Sequence, residues 1–414
     1  MTAAILLAGC AVALLWVGLG RPSTGEPIKV GILHSETGTM AISEKSVRDS
    51  TLLAIAEINA SGGLLGRRLE PVVVDGKSDP RTFAVAAERL IVEQKVSVVF
   101  GCWTSACRKT VRPIFERHNH LLFYPVQSEG LEQSPNIIYT GAAPNQQILP
   151  AVNWCFQQLK ARKFYLVGSD YVFPRTAHAI IEAQVNAMGG EIVGQQYILL
   201  GSDEVDEVVQ QIVTARPDVI LNTINGDSNV AFFAALRRAG VTSDEIPTVS
   251  FSLAESELHS MNAEAVAGDY AAWNYFQSVD REENHEFVRR FQQKYGSNRV
   301  TDDPIEAGYF GVYLWAQAVQ DAGTDDVSEV RRHMANQSFP APQGIVSIDA
   351  NNGHTWKTVR IGRIRNDGQF DIVWTSGRPL RPVPYPVYRT RKQWDDFLAK
   401  LNDEWGGQWA NPGN

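Results

Sequence analysis

Short apolar runs alternate with longer amphipathic stretches along most of this chain. The first half contains the apolar runs IKVGILHS, LEPVVVD and VSVVF, with helical patterns between them. Runs this short and this rich in valine and isoleucine are typical of buried parallel strands. The same alternation begins again at KFYLVGSD and continues through DVILNTI and TVSFS. Strands that alternate with helices predict an α/β fold with two mainly parallel, Rossmann-like sheets.

Aromatic and hydroxyl residues follow two neighbouring predicted strands. The pattern predicts strands at Val96 to Phe100 and at Leu121 to Tyr124, with a helix from Ser105 to Glu116 between them. Open α/β sheets bind ligands beyond the carboxyl ends of their strands, and helix-start N–H groups add hydrogen-bond donors there. The residues expected to line one such crevice are Trp103, Thr104, Ser105 and Tyr124. The alternative is that they are ordinary strand-to-helix connections.

Seven longer motifs in this chain resemble those of a known family. They are GCWTSACRK, LLFYPVQSEGLEQSPNI, GAAPNQQ, GSDYVFPRTA, NTINGDSNVAFF, AWNYFQSVD and IGRIRNDGQFDIVW. The chain from about Ile28 to Tyr388 resembles the urea-binding subunits of urea ABC transporters, which are type I periplasmic binding proteins. This resemblance implies two lobes that close on a small molecule, urea or a short amide, and present it to an ABC permease in the membrane.

The resemblance also implies three crossings between the lobes. We expect them near Ala142 to Gln147, near Ala271 to Tyr275 and near Pro340 to Gly344. The domain boundaries that follow are 28–144 with 272–342 for lobe 1, 145–271 with 343–388 for lobe 2, and 389–414 for a C-terminal tail.

The resemblance assigns several residues to the ligand. In amide-binding relatives, aromatic residues and one serine surround the amide, and the positions that match them here are Trp103, Ser105, Tyr124, Tyr171 and Phe173. Tyr171 and Phe173 follow an apolar strand, so they could instead cap it and pack on the next helix. Ser128 stands where the family has a tyrosine.

Two acidic residues complete the predicted site. Urea has more N–H donors than carbonyl acceptors, so its pocket needs acceptors, and Asp227 is the expected carboxylate. Asp227 precedes SNVAFFAAL, so it could instead be a helix N-cap. Glu36 follows the first strand and is expected to face the same crevice, where it would bind the ligand or bridge the lobes.

Composition excludes several other functions. The net charge of −8 and the lack of a basic run with interleaved aromatic residues argue against nucleic acid as a partner. The sequence has no nucleophile elbow, P-loop, HExxH or dinucleotide fingerprint, so we expect neither an enzyme nor a cofactor. Cys102, Cys107 and Cys155 lack metal-ligand spacing, so we expect no metal site and predict free, largely buried thiols.

Residues 1–27 form an apolar N-terminal segment and a polar spacer. Leu7 to Cys10 resembles a lipoprotein processing site, and cleavage after the full apolar run and an uncleaved anchor are the two alternatives. Each possibility places the folded part in the periplasm or on the extracytoplasmic face of a membrane. The alternatives to a urea carrier are a short-chain amide-binding protein and a sensory module for amide or urea. An amino-acid ligand also stays possible, since Asp227 and Ser105 could bind its two charged groups.

Overall fold

The computed structural model describes residues 25–335 and 337–413. The predicted processing site at Cys10 and its apolar run lie outside the described residues. Within those residues, no helix has the length and apolar character needed to cross a membrane.

The described residues form strands and helices in the predicted alternation. The strands are β1 (Ile28–His34), β2 (Leu69–Asp75), β3 (Val98–Gly101), β4 (Leu122–Tyr124), β5 (Ile137–Tyr139), β6 (Lys163–Ser169), β7 (Glu191–Ile198), β8 (Val219–Thr223), β9 (Thr248–Ser250), β10 (Tyr270–Trp273), β11 (Ser338–Ala341), β12 (Gly344–Ile348), β13 (Thr355–Ile364) and β14 (Phe370–Leu380). The helices are α1 (Ala41–Ala60), α2 (Pro80–Val92), α3 (Ser105–Arg117), α4 (Ile148–Trp154), α5 (Val172–Ala187), α6 (Asp206–Ala215), α7 (Ser228–Arg238), α8 (Glu255–His259), α9 (Ala263–Val266), α10 (Glu282–Tyr295), α11 (Asp303–Ala322), α12 (Val327–His333) and α13 (Arg391–Glu404).

Lobe 1 is built on a parallel sheet with the order β2-β1-β3-β4-β5. Its central strands are mostly apolar and, except for Lys29, buried, because helices cover a parallel sheet on both faces. β3 ends at Gly101, whose φ is +152°. A Cβ at this position would lie 2.1 Å from the carbonyl oxygen of Leu33, so only glycine fits here. This close approach fixes where the chain leaves the sheet toward Trp103.

Lobe 2 is built on a second, mixed sheet. Its order is β13-β10-β9-β8-β6-β7, with β14 also paired with β13, and the β11–β12 hairpin extends this order beyond β13 through the pairing of β12 with β13. The segment from β10 to β7 is parallel, whereas β11, β12, β13 and β14 add antiparallel pairs. The predicted α/β architecture with two lobes, each with a mainly parallel sheet, is therefore confirmed, and the antiparallel strands extend it.

The chain passes between the lobes at three places. The first passage lies between β5 and α4, and the second follows β10. The predicted third crossing at Pro340 to Gly344 coincides with the turn between β11 and β12. Val346 and Ile348 on β12 still belong to the apolar core of lobe 1, whereas Ile361 on β13 belongs to that of lobe 2. The structure therefore places the third passage between β12 and β13.

The C-terminal tail packs against lobe 2. Trp394, Leu398 and Leu401 on α13, with Trp405 just after it, join the apolar core around α4 and α5. Trp394 is fully buried, and its indole N–H donates to the carbonyl of Pro386 at 2.9 Å. The tail is therefore an integral part of the folded protein.

Candidate functional site

The connection from β3 to α3 positions the first predicted ligand residues. Thr104 is the N-cap of α3, and its hydroxyl oxygen accepts a hydrogen bond from the Cys107 N–H at 3.1 Å. Ser105 begins the helix and is buried. Trp103 is 3% exposed, and its indole Nε1–H has no hydrogen-bond partner among the described residues. A buried donor without an acceptor costs about 1–3 kcal/mol, so this group is available to a ligand acceptor.

Tyr124 lies at the end of β4, next to this connection. Its hydroxyl donates to the carbonyl oxygen of Trp103. The guanidinium of Arg108 lies over its ring, 4.7 Å from the ring centroid. Burial raises the pKa of Tyr124, so the phenol is neutral. Since its proton is already donated, the Tyr124 oxygen can offer a ligand only an acceptor.

Ser105 is coupled to a buried carboxylate that the sequence did not suggest. Its hydroxyl donates to Glu129 at 2.5 Å and accepts from Arg108 at 2.9 Å. Arg108 also donates to Glu129 at 2.9 Å, and Lys109 lies 3.3 Å from the same carboxylate. Glu129 is fully buried, so a negative charge lies directly behind Ser105.

A second buried carboxylate balances the two cations. Glu132 accepts from Arg108 at 3.0 Å and from Lys109 at 3.1 Å. Arg112 and the hydroxyl of Tyr139 also donate to it. Burial alone would raise the pKa of Glu132, but the three cations outweigh burial and hold it far below its usual range. The carboxylate is therefore ionised, and with Glu129 it offsets the charges of Arg108 and Lys109, while Arg112 also pairs with Glu116.

Lobe 2 contributes two aromatic residues at the start of α5. Tyr171 and Phe173 are each 2% exposed, and their ring centroids are 6.3 Å apart. Burial raises the pKa of Tyr171, and Tyr124 and Glu129 from lobe 1 raise it further. The contact of α3 with α5, and the packing of Ala106 from α3 in the same apolar cluster as Tyr171 and Phe173, place Tyr171 close to the lobe 1 residues. Trp103, Ser105, Tyr124 and Tyr171 thus face one interlobe region.

Glu36 and Asp227 have partners elsewhere. The carboxylate of Glu36 pairs with Arg48, and its backbone N–H donates to Asp75 at 2.8 Å. Asp227 is exposed and occupies the N-cap position of α7, but its side chain makes no capping hydrogen bond. It accepts instead from the hydroxyl of Thr39 in lobe 1. In this geometry Asp227 links the two lobes at the rim of the cleft.

Further hydrogen bonds join the lobes. The Gln127 side chain donates to the carbonyl of Phe251 at 2.8 Å, and Ser43 donates to Glu257 at 2.5 Å. Ser256 donates to Asp302 on the opposite lobe. Burial raises the pKa of Asp302 to about 8, and the charge of Glu257 adds to this. These contacts describe lobes that are closed on each other.

Comparison with known proteins identifies the family. A model described as "Periplasmic binding protein domain" matches residues 28–391. The chain belongs to this family. It is 22% identical over 353 residues to a Leu/Ile/Val-binding protein of Citrobacter freundii, covering 83% of this chain and 92% of that one. It is also 35% identical over 124 residues to a limonene hydroxylase of Geobacillus stearothermophilus, covering 30% of this chain and only 23% of that one.

Solved structures of this periplasmic binding protein fold resemble the chain over most of its length. A solute-binding protein of an ABC transporter from R. palustris, in complex with 4-hydroxybenzoate, superposes with a TM-score of 0.77 at 22% identity. The match covers 84% of this chain and 96% of that one. The predicted type I fold is therefore confirmed, and the family to which the chain belongs is one of binding proteins, as predicted.

The remaining predictions are resolved only in part. Cys102, Cys107 and Cys155 are free and buried, as predicted. Ser128 is buried immediately before Glu129 and accepts from the Gly130 N–H at 3.4 Å.

The sequence reasoning missed Glu129, Arg108, Lys109 and Glu132. The sequence did contain a signal for them. Arg108 and Lys109 are adjacent on the predicted helix, and Glu129 and Glu132 follow the next predicted strand. Because these segments follow the ends of neighbouring strands, the two pairs of charges are expected to lie close together.

Removing the Asp227 carboxylate is expected to have a small effect on ligand affinity. The pair with Thr39 is exposed, and exposed polar pairs contribute about 0.2–1 kcal/mol. We therefore expect Asp227→Ala to weaken ligand binding by about 5-fold or less, through easier opening of the lobes. Isothermal titration checks this, with Asp244→Ala as the control on lobe 2. A loss well beyond 10-fold would instead indicate direct contact of Asp227 with the ligand.

Proposed function

We propose that this periplasmic binding protein captures urea outside the cytoplasm and passes it to the permease of an ABC importer. The observation that supports this most directly is the combination of groups at the β3–α3 connection. Trp103 offers an unpaired, buried donor, and Glu129 with Ser105 offers acceptors close by. Urea has one carbonyl acceptor and two NH₂ donors, so it needs both kinds of partner.

The aromatic residues complete this site. Tyr124 and Tyr171 are neutral phenols on opposite lobes, and Phe173 lies beside Tyr171. Planar rings provide surfaces on which a flat molecule such as urea can stack. Closure of the lobes would bury the ligand between them and remove water from its hydrogen bonds. A small, flat and neutral ligand matches these walls.

The buried Glu129 argues against ligands that present a carboxylate. An amino acid or an aromatic acid needs hydrogen-bond donors for its negative group, and Ser105 at the start of α3 would be the natural one. Here the Ser105 hydroxyl already donates to Glu129. A ligand carboxylate placed beside Ser105 would therefore face a like charge at close range. This contact favours urea over the amino acids and benzoates that the relatives bind.

A short amide is the second candidate. The rings of Tyr124, Tyr171 and Phe173 could accept the methyl group of acetamide, whose NH₂ and carbonyl present the same hydrogen-bond pattern on one side. Acetamide lacks the second NH₂ group of urea, so fewer acceptors are used. The ratio of the two affinities therefore measures how many N–H groups the site recognises.

Calorimetric titration of the purified protein with urea, acetamide, leucine and benzoate tests the proposal. We expect saturable urea binding, weaker acetamide binding and no response to leucine or benzoate. Any copurified ligand is first removed by unfolding and refolding. Tight leucine or benzoate binding without urea binding would contradict the proposal, whereas acetamide binding alone would favour an amide carrier.

A further inference from the structure

The last residues of the chain return from α13 to the ligand site. We call Trp405–Gly413 the C-terminal strap. Gly406 and Gly407 have φ values of +62° and +84°, which turn the chain back after the helix. The side chain of Asn402 donates to the carbonyl of Gln408 at 2.8 Å and holds this turn. The family match ends at residue 391, so the strap lies beyond it.

The strap binds the start of α5 through its backbone. The N–H of Val172 donates to the carbonyl of Trp409 at 3.0 Å, and Tyr171 forms a β-bridge with Ala410. The N–H of Asn411 donates to the carbonyl of Asp170 at 3.0 Å. The Asn411 side chain donates to the Asp170 carboxylate at 2.6 Å. The strap therefore fixes the backbone on both sides of Tyr171, a proposed ligand residue.

The strap also reaches lobe 1. The ammonium of Lys109 lies over the ring of Trp409, 5.2 Å from its centroid. Lys109 belongs to the buried network, where it pairs with Glu129 at 3.3 Å and with Glu132 at 3.1 Å. Trp409 itself is only partly buried, so its ring covers the network from the solvent side. One short segment thus contacts the site residues of both lobes.

We propose that Trp409 and Asn411 are positioning residues for the ligand site, and that the strap holds the closed lobes together over bound ligand. The strap is anchored to lobe 2 by Trp405 and by its backbone bonds, which opening of the lobes leaves intact. The contact between Trp409 and Lys109 joins different lobes and breaks on opening. It therefore stabilises the closed state and should slow ligand release. The inference rests on the proposed ligand site between Tyr171 and α3.

The test compares variants of the full chain with urea as the probe. Trp409→Ala removes the ring and keeps the backbone bonds, Trp409→Phe keeps an aromatic ring over Lys109, and a chain that stops after Gln408 removes most of the strap. Trp374→Ala is the matched control, since Trp374 is a half-buried tryptophan of lobe 2 that packs on its core instead. Stopped-flow measurements give association and dissociation rates, and hydrogen exchange reports on residues 170–173.

We expect Trp409→Ala to raise the urea dissociation rate about 3- to 10-fold, with little change in association rate or melting temperature. Trp409→Phe should restore most of the slow release, and the shortened chain should exceed Trp409→Ala and expose residues 170–173 to faster exchange. If Trp409→Ala releases urea at the same rate as the wild type, the proposed role of the strap is wrong, even if the shortened chain fails to fold. If the wild type binds no urea, the proposed function fails, and hydrogen exchange at residues 170–173 in the shortened chain then tests the strap: faster exchange than in the wild type supports it, and unchanged exchange contradicts it.

Discussion

Replacing Arg108 with methionine is expected to lower the free energy of unfolding by about 3–5 kcal/mol, because it breaks a buried ion network. Arg108 is fully buried, and its guanidinium donates to Ser105, Glu129 and Glu132. Methionine fills a similar volume but satisfies none of these acceptors. Glu129 and Glu132 would lose their hydrogen bonds to Arg108 and would keep only Lys109 and Arg112 as cationic partners. The free-energy cost of removing these two carboxylates from water would then no longer be fully offset.

Guanidinium chloride unfolding measures this loss, since urea would act as both denaturant and ligand. Arg117→Met is the matched control, because Arg117 lies on the same helix, is 58% exposed and pairs with Glu88 at the surface. We expect it to cost less than about 1 kcal/mol. If Arg108→Met and Arg117→Met have equal effects, the network around Glu129 and Glu132 does not stabilise the fold as its geometry indicates.

The parallel sheets and their flanking helices could be predicted because their patterns are local. The helix predicted from Ser105 to Glu116 differs from α3 by one residue, since the Thr104 cap fixes its start. The long helix α11 was not predicted. Its residues are buried on nearly every side, including Phe310, Leu314 and Trp315, so its solvent-facing polar side is narrow. Its packing along α1 is a property of the tertiary structure.

The third crossing shows a related limit. Proline and glycine in the segment Pro340 to Gly344 predict a break in the chain but do not distinguish a hairpin turn from a passage between lobes. The structure forms the hairpin because Val346 and Ile348 pack into lobe 1. This choice depends on which core each apolar side chain enters, and the local sequence does not specify that.

The candidate site was predictable where strand ends determine it. Trp103, Ser105 and Tyr124 follow β3 and β4, so the topology of the sheet brings them together. Asp227 follows β8 and Glu36 follows β1 in the same way, but the Asp227 side chain accepts from Thr39 and the Glu36 side chain pairs with Arg48. Side-chain direction and the closed position of the lobes decided these contacts, and neither is visible in the order of strands.

Glu129 was missed because an acidic residue in a polar loop usually lies in solvent. Its burial depends on Arg108 and Lys109 from a different segment, and the pairing of charges 20 or so residues apart leaves no periodic signal. The compensating cations explain how the protein tolerates a carboxylate there. Under the proposed function, the buried charge of Glu129 behind Ser105 selects against ligands that carry a carboxylate.

Replacing Glu129 with glutamine is expected to weaken urea binding by about 10- to 100-fold, because a charge-assisted hydrogen-bond acceptor contributes about 1.5–3 kcal/mol. Glutamine keeps the shape of the side chain and one carbonyl acceptor but removes the charge. The repulsion against a ligand carboxylate falls at the same time, since Ser105 and Arg108 no longer face an anion. Propionate, which resembles a short amide in shape, should therefore bind better to the variant than to the wild type.

Calorimetric titration with urea and propionate separates a selective role of Glu129 from a structural one. A general loosening of the site would weaken both ligands, whereas loss of a specific carboxylate shifts their affinities in opposite directions. Glu116→Gln is the matched control, because Glu116 is a partly exposed carboxylate on the same helix whose nearest cation, Arg112, lies 3.7 Å away. It should leave both affinities unchanged. If Glu129→Gln bound urea as tightly as the wild type does, Glu129 would only balance the charge of Arg108, and the acceptor for the urea N–H groups would have to lie elsewhere in the cleft.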